Sequence, residues 1–128
     1  MTIFRAASTP MRPADARSFA GPAQTKLLAS SEEHTPVHVY RVEFDPGGRT
    51  NWHTHSGPQW LFIIEGRVRV QKSGEPAHDV EAGDAVLIAP GEKHWHGAFP
   101  GARGVHIAVN VNLETTWLEP VSEEQYGS

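Results

Sequence analysis

The sequence predicts an all-β fold, an antiparallel sandwich or barrel, and three observations point there. Short runs of strand-forming residues follow one another, each closed by Gly or Pro. No segment between them carries the apolar period of a helix. The chain has 128 residues, a single-domain length that lets one core bury roughly two-thirds of the unfolded surface.

Residues 1–35, rich in Ala, Pro and Ser, read as an N-terminal arm with one short strand near Thr2–Arg5. The texture changes at residue 36. VHVYRVEF (37–44) is a run of strand formers ended by the turn DPGG (45–48). RTNWHTH, QWLFIIEG, RVRVQ, HDVEAGDAVLIAP, HWHGAF and VHIAVNV follow, and the barrel core is expected over 36–112. In the C-terminal segment, 113–128, Ser122-Glu-Glu-Gln125 follows Pro120 with the spacing of a capping box, which predicts one helical turn.

Period-two alternation assigns the faces. His53 and His55 share one with Asn51. Gln59, Leu61 and Ile63 lie together, as do His94 with His96, and His106 with Ala108 and Asn110. On the first long strand His38, Tyr40, Val42 and Phe44 stand opposite the charges of Arg41 and Glu43, so the mixed apolar and imidazole faces read as the barrel interior. Trp52, Trp60 and Trp95 alternate away from it and read as packing residues; Trp117 reads as a C-terminal anchor. His34 and His78 sit in polar loop sequence, and Arg67 and Arg69 on a solvated face.

Composition excludes several classes. The net charge is -4 and no basic block occurs, which argues against nucleic acid or an anionic membrane as partner. No apolar run suits a signal peptide or approaches the ~18 residues of a membrane span. With no cysteine there is no disulfide, thiol nucleophile or thiolate metal site. A cytoplasmic protein is the expectation. Eight histidines are many for this length, and their placement carries the chemistry.

An H-x-H pair on a strand is weak evidence alone, since most such pairs make ordinary hydrogen bonds. Here three facts add to it. Gln59 follows across the SGP turn, placed to fold its amide oxygen back over His53 and His55, or else to satisfy the turn backbone. His94 comes after the turn APGEK. The intervening hairpin has a length that returns a later strand beside the first.

These residues resemble the cupins. Their first motif, G-x5-H-x-H-x3–4-E-x6-G, falls on Gly47, His53, His55, Gln59 and Gly66. The second, G-x5-P-x-G-x2-H-x3-N, falls on Gly83, Ala89, Gly91, His94 and Ala98. Gln59 departs from Glu, Ala89 from Pro and Ala98 from Asn. The resemblance covers residues 40–111 and implies a double-sheet antiparallel β-barrel (a jelly roll) with a metal inside, held by His53, His55, Gln59 and His94. PGEKHWHGA (90–98), with Gln in the Glu place, is most similar to short bacterial cupins of two kinds: manganese-dependent hydroxynitrile lyases and those associated with carboxymuconolactone decarboxylases. His96 and His106 match pocket positions there, whereas Asn110 stands where a second glutamine is usual and Tyr40 is bulkier than expected.

Three imidazoles and an amide are neutral, so one divalent ion per chain would keep its full charge, act as a strong Lewis acid and favour anionic ligands. Such donors accommodate Mn, Fe, Co, Ni or Zn, and the resemblance favours Mn. His96 and His106 are candidate acid/base groups, or else hydrogen-bonded supports of a ligand or the backbone. Tyr40, Val42, Phe44, Leu61, Ile63, Ala108 and Asn110 are expected to wall a mostly apolar pocket for a small-molecule substrate, with His38 at its rim. The first functional expectation is a lyase that cleaves a cyanohydrin to an aldehyde and hydrogen cyanide. A dioxygenase of a diketone, flavonol or alkene, and a binding or isomerase protein, are the alternatives. Exposed sheet edges and the arm lead to the expectation of a homodimer or homotetramer.

Overall fold

The computed structural model describes residues 1–127. A single 3-10 turn, Ala6–Ser8, precedes twelve strands: β1 (Arg12–Pro13), β2 (Phe19–Ala20), β3 (Ala23–Ser31), β4 (Val37–Phe44), β5 (Arg49–Thr50), β6 (His53–His55), β7 (Gln59–Lys72), β8 (His78–Glu81), β9 (Ala85–Ile88), β10 (His94–Ala98), β11 (Gly104–Val111) and β12 (Thr115–Trp117). One helix, α1 (Glu123–Gly127), ends the described chain.

All pairings are antiparallel, in the order β1-β3-β4-β11-β7-β10-β5-β2; β8 and β9 also pair with β7, and β6 with β10 and β12. The long strand β7, in the middle of this order, joins the two halves of the sheet. Its first half pairs with β11 and β9, and its second half with β10 and β8. The change of partners falls at Gly66, which has φ 67°, and a Cβ there would run into the carbonyl oxygen of Arg103. QWLFIIEG and RVRVQ are therefore one bent strand and not two. The result is the double-sheet barrel expected from the sequence.

The arm departs from expectation. No strand forms at Thr2–Arg5, and residues 23–31 belong to the sheet as β3, paired along β4. AQTKLLASS has weak strand propensity, and its conformation comes from covering the otherwise open edge of β4. A bulge between Leu27 and Ala29 marks the imperfect match.

Three apolar clusters fill the interior. Leu61, Ile63, Val68, Ile88 and Ala108 form one, and Val42, Phe44 and Ala98 another. The third joins Trp52 and Trp95 to Val121 and Tyr126, seating the C-terminal segment on the barrel. There Tyr126 donates its hydroxyl to the Ala98 carbonyl at 2.6 Å, and the buried Arg49 donates to the Val121 carbonyl at 2.9 Å and to Glu123 at 3.0 Å. The capping box is reciprocal: the Ser122 amide donates to Gln125 Oε1 and the Gln125 amide to Ser122 Oγ. Outside, Trp60, Phe62, Ile64 and Leu87 leave an apolar row exposed on β7 and β9. No helix among the described residues is long and apolar enough to cross a membrane.

Candidate metal centre

Strands β6 and β10 lie side by side, with His94 opposite His53. Gln59 begins β7 directly after the turn at 56–58. That turn fits because Gly57 has no side chain: a Cβ would lie 2.5 Å from the Val111 carbonyl oxygen. Asn110 on β11 is the register partner of Gln59. These pairings bring His53, His55, Gln59, His94 and His96 to one interior region, with ring centroids 4.2 Å apart for His53 and His94, 4.8 Å for His53 and His55, and 5.3 Å for His53 and His96.

Each ring is aimed by its far nitrogen. His53 Nδ1 donates to the Asn51 carbonyl and His94 Nδ1 to the Glu92 carbonyl, both at 2.8 Å, which leaves each Nε2 with a lone pair facing inward. His55 Nδ1 lies 3.0 Å from Thr115 Oγ1, a hydroxyl that serves as donor or acceptor, and its Nε2 lies 3.1 Å from Gln59 Oε1. Gln59 Nε2 in turn donates to Asn110 Oδ1 at 2.8 Å. His96 Nδ1 is 2.9 Å from His106 Nε2.

The residues present fit a metal ion. One ligand nitrogen each from His53, His94 and His96 falls within 4.8 Å of the others. The Nε2 atoms of His94 and His96 are shut off from solvent with no hydrogen-bond partner, an arrangement that costs free energy unless something accepts the lone pair. Gln59 Oε1 stands 3.1 Å from His55 Nε2, so a neutral amide oxygen joins the imidazole nitrogens in the same region, a mixed N and O donor set that would suit a first-row divalent ion.

Electrostatically the site is a neutral cage. Burial pushes His53 and His96 well below the ordinary histidine range, and the neighbouring imidazoles push the same way. Burial lowers His94 as well, takes His55 to about 4 and takes His106 to about 3. At neutral pH all five rings are uncharged. No Asp or Glu lines the cavity that His53, His55, Gln59 and His96 share, and Glu92 lies outside it, beside His94, so a divalent ion held there would have no carboxylate among the cavity's own donors.

That cavity, of about 280 Å³, places several expected residues and corrects others. Tyr40, Val42, Ala108 and Asn110 line it, together with His53, His55, Gln59 and His96. Phe44, Leu61 and Ile63 do not: they point inward as alternation predicts, but lie deeper, in the apolar clusters. His106 is fully buried and off the cavity, with His96 as its polar neighbour. His38 is half-buried away from the lining and pairs with Glu32 at 2.7 Å. His94 borders a second cavity on its other side, beside Glu92 and Trp95. Asn51 turns out of the ligand face, because the chain breaks its pleat between β5 and β6; its amide donates to the Arg17 carbonyl at 2.9 Å and ties down the arm.

Sequence reasoning missed Phe19, Thr25, Thr50, Thr115 and Trp117, which complete the lining. Trp117 is not merely an anchor: its ring centroid lies 4.6 Å from that of His53 and 6.0 Å from that of Phe19. The signal for it was the run TTW. As a strand, β12 pairs with β6 and sets Thr115 opposite His55 and Trp117 opposite His53.

Comparison with known proteins agrees with this picture. The family model described as a cupin domain matches residues 40–109. An (R)-mandelonitrile lyase of Granulicella tundricola is 36% identical over 129 aligned residues, which cover 98% of both chains. The crystal structure of a cupin-like protein from Thermotoga maritima is similar with a TM-score of 0.85, at 37% identity over 89% of each chain. The polyketide cyclase RemF from Streptomyces resistomycificus shares the fold, with a TM-score of 0.76 at 19% identity over 98% of this chain and 90% of that one.

Proposed function

We propose that this chain, which belongs to the cupin family, is a metal-dependent lyase that cleaves a cyanohydrin to an aldehyde and hydrogen cyanide. The observation that carries the reading is the meeting, around one small cavity, of the neutral donors His53, His55 and Gln59, with His94 packed against His53 behind them, and of His96, whose buried Nε2 has no hydrogen-bond partner. Likeness along nearly the whole chain to a mandelonitrile lyase supports it.

His53, His55, Gln59 and His94 would hold the ion, which we propose to be Mn2+. Bound there it supplies a Lewis acid that makes a substrate hydroxyl more acidic. The remaining work falls to side chains of this protein. For Nε2 of His96 to accept the hydroxyl proton, its Nδ1 must carry the other proton and donate it to His106 Nε2. His106, 2.9 Å away, therefore fixes the tautomer and stabilises the imidazolium that forms. As the C–O bond becomes C=O, the C–C bond to the nitrile breaks, and its electron pair leaves with cyanide. His96 then gives cyanide the proton and returns to neutral. The low basicity that burial imposes on His96 favours that return. Val42, Ala108, Phe19 and Trp117 offer the apolar wall for the rest of the substrate.

The test is cleavage of (R)-mandelonitrile by protein grown with manganese, measured as benzaldehyde release before and after chelation. Activity that disappears with chelator and returns with Mn2+ is the expected result. Oxygen uptake on a diketone or flavonol, without cyanohydrin cleavage, would replace the lyase by a dioxygenase. Neither activity, with retention of a small ligand, would make the protein a binding module.

A further inference from the structure

We infer that Asn110 is a positioning residue for the candidate metal centre, holding the Gln59 amide so that its oxygen, and not its NH2, faces the imidazoles. The two ends of an amide have nearly the same shape and opposite chemistry: the oxygen has lone pairs for a cation, and the nitrogen offers only hydrogens. Packing alone does not choose between them. Hydrogen bonding does. Gln59 Nε2 donates to Asn110 Oδ1 at 2.8 Å, and this turns Oε1 to 3.1 Å from His55 Nε2, into the donor cluster.

The contact is built into the sheet. Gln59 and Asn110 are direct partners across β7 and β11, so their side chains leave the same face side by side. Gln59 is buried, and an amide flipped away from its acceptor would be left unsatisfied. Asn110 is thus no ligand and needs no contact with substrate. It acts through Gln59. The inference rests on the metal-centre reading, and its test separates the two.

The experiment is calorimetric titration of chelator-stripped protein with Mn2+ alone, comparing wild type with Asn110→Leu, Asn110→Asp, Gln59→Leu, the double variant Gln59→Leu/Asn110→Leu, and His53→Ala. Thermal unfolding in chelator checks each fold, and Asn110→Ala replaces Asn110→Leu if leucine does not fit. Losing the acceptor should weaken Mn2+ binding about tenfold, the size usual for a group that orients a ligand. Asn110→Asp, which can only accept, should bind at least as tightly as wild type. The double variant should bind no more weakly than Gln59→Leu, because Asn110 has no effect without Gln59. Wild-type affinity in Asn110→Leu, equal weakening in Asn110→Asp, or additive losses in the double variant would each overturn the inference while leaving the metal centre standing. If wild type binds no Mn2+, or His53→Ala binds it as well as wild type, the metal reading fails and takes this inference with it.

Discussion

Consider the metal-free protein taken from about pH 7.5 to about pH 5, the range in which unfolded histidines gain their charge. In the unfolded chain each histidine protonates near its ordinary value, whereas in the fold His106 does so only at about 3, because burial disfavours the charged ring. A histidine whose folded value is depressed stabilises the fold fully above the ordinary value. That contribution is lost as pH falls from there towards the folded value, because the unfolded state then binds the extra proton. At about pH 5 the loss from one such group is roughly 2 kcal/mol, from 1.4 kcal/mol per unit over about one and a half units. His53, His55, His94 and His96 are shifted in the same direction. Their losses add to that of His106 in the same sense. Urea unfolding in chelator, followed by tryptophan fluorescence across this range, should show the midpoint falling steeply on the acid side. His106→Gln should reduce the slope by about one proton, near 1.4 kcal/mol per pH unit. A midpoint that stays level between neutral pH and pH 5 would refute the neutral cage. So would a His106→Gln slope identical to that of wild type.

Three further outcomes are expected. Gln59→Glu puts a carboxylate against Asn110 Oδ1 and lowers the charge left on a bound ion; it should tighten Mn2+ binding and slow cyanohydrin cleavage by about tenfold or more, read by calorimetry and by kcat. Arg49→Met removes the buried guanidinium that joins Val121 and Glu123 to the barrel, and should cost about 2–3 kcal/mol, seen as a lower melting temperature. If copies of the chain associate through the apolar row on β7 and β9, light scattering should give wild type the mass of two or four chains and Phe62→Asp that of one. A wild-type mass of one chain would remove that expectation.

What could be read in the sequence was direction, and what could not was depth and closure. Alternation turned His53, His55, Gln59 and His94 to one side, and the structure brings them together. The capping box at Ser122 and Gln125 was equally plain, since both its hydrogen bonds are local. The same alternation placed Leu61, Ile63 and Phe44 inside, yet it says nothing of whether an inward side chain meets a cavity or another side chain. His106 failed to reach the cavity for that reason, with His96 between. Asn51 was misjudged because a break between strands resets the alternation. Phe19 and Trp117 come from the two ends of the chain and meet only in the folded barrel. β3 has no strong pattern of its own and owes its form to the edge it covers.

The donor set is shared between the two halves of the barrel. His53, His55 and His94 stand on β6 and β10, while Gln59 stands at the start of β7, beside Asn110 of β11 and across the bend at Gly66. An ion gripped by both halves would therefore act as a rivet. Loading the site should slow amide hydrogen exchange in β4 and β11 as well as in β6 and β10, far beyond the few residues that touch it. Emptying it should let the two leaves breathe apart along their open side, hinged on the one long strand they have in common.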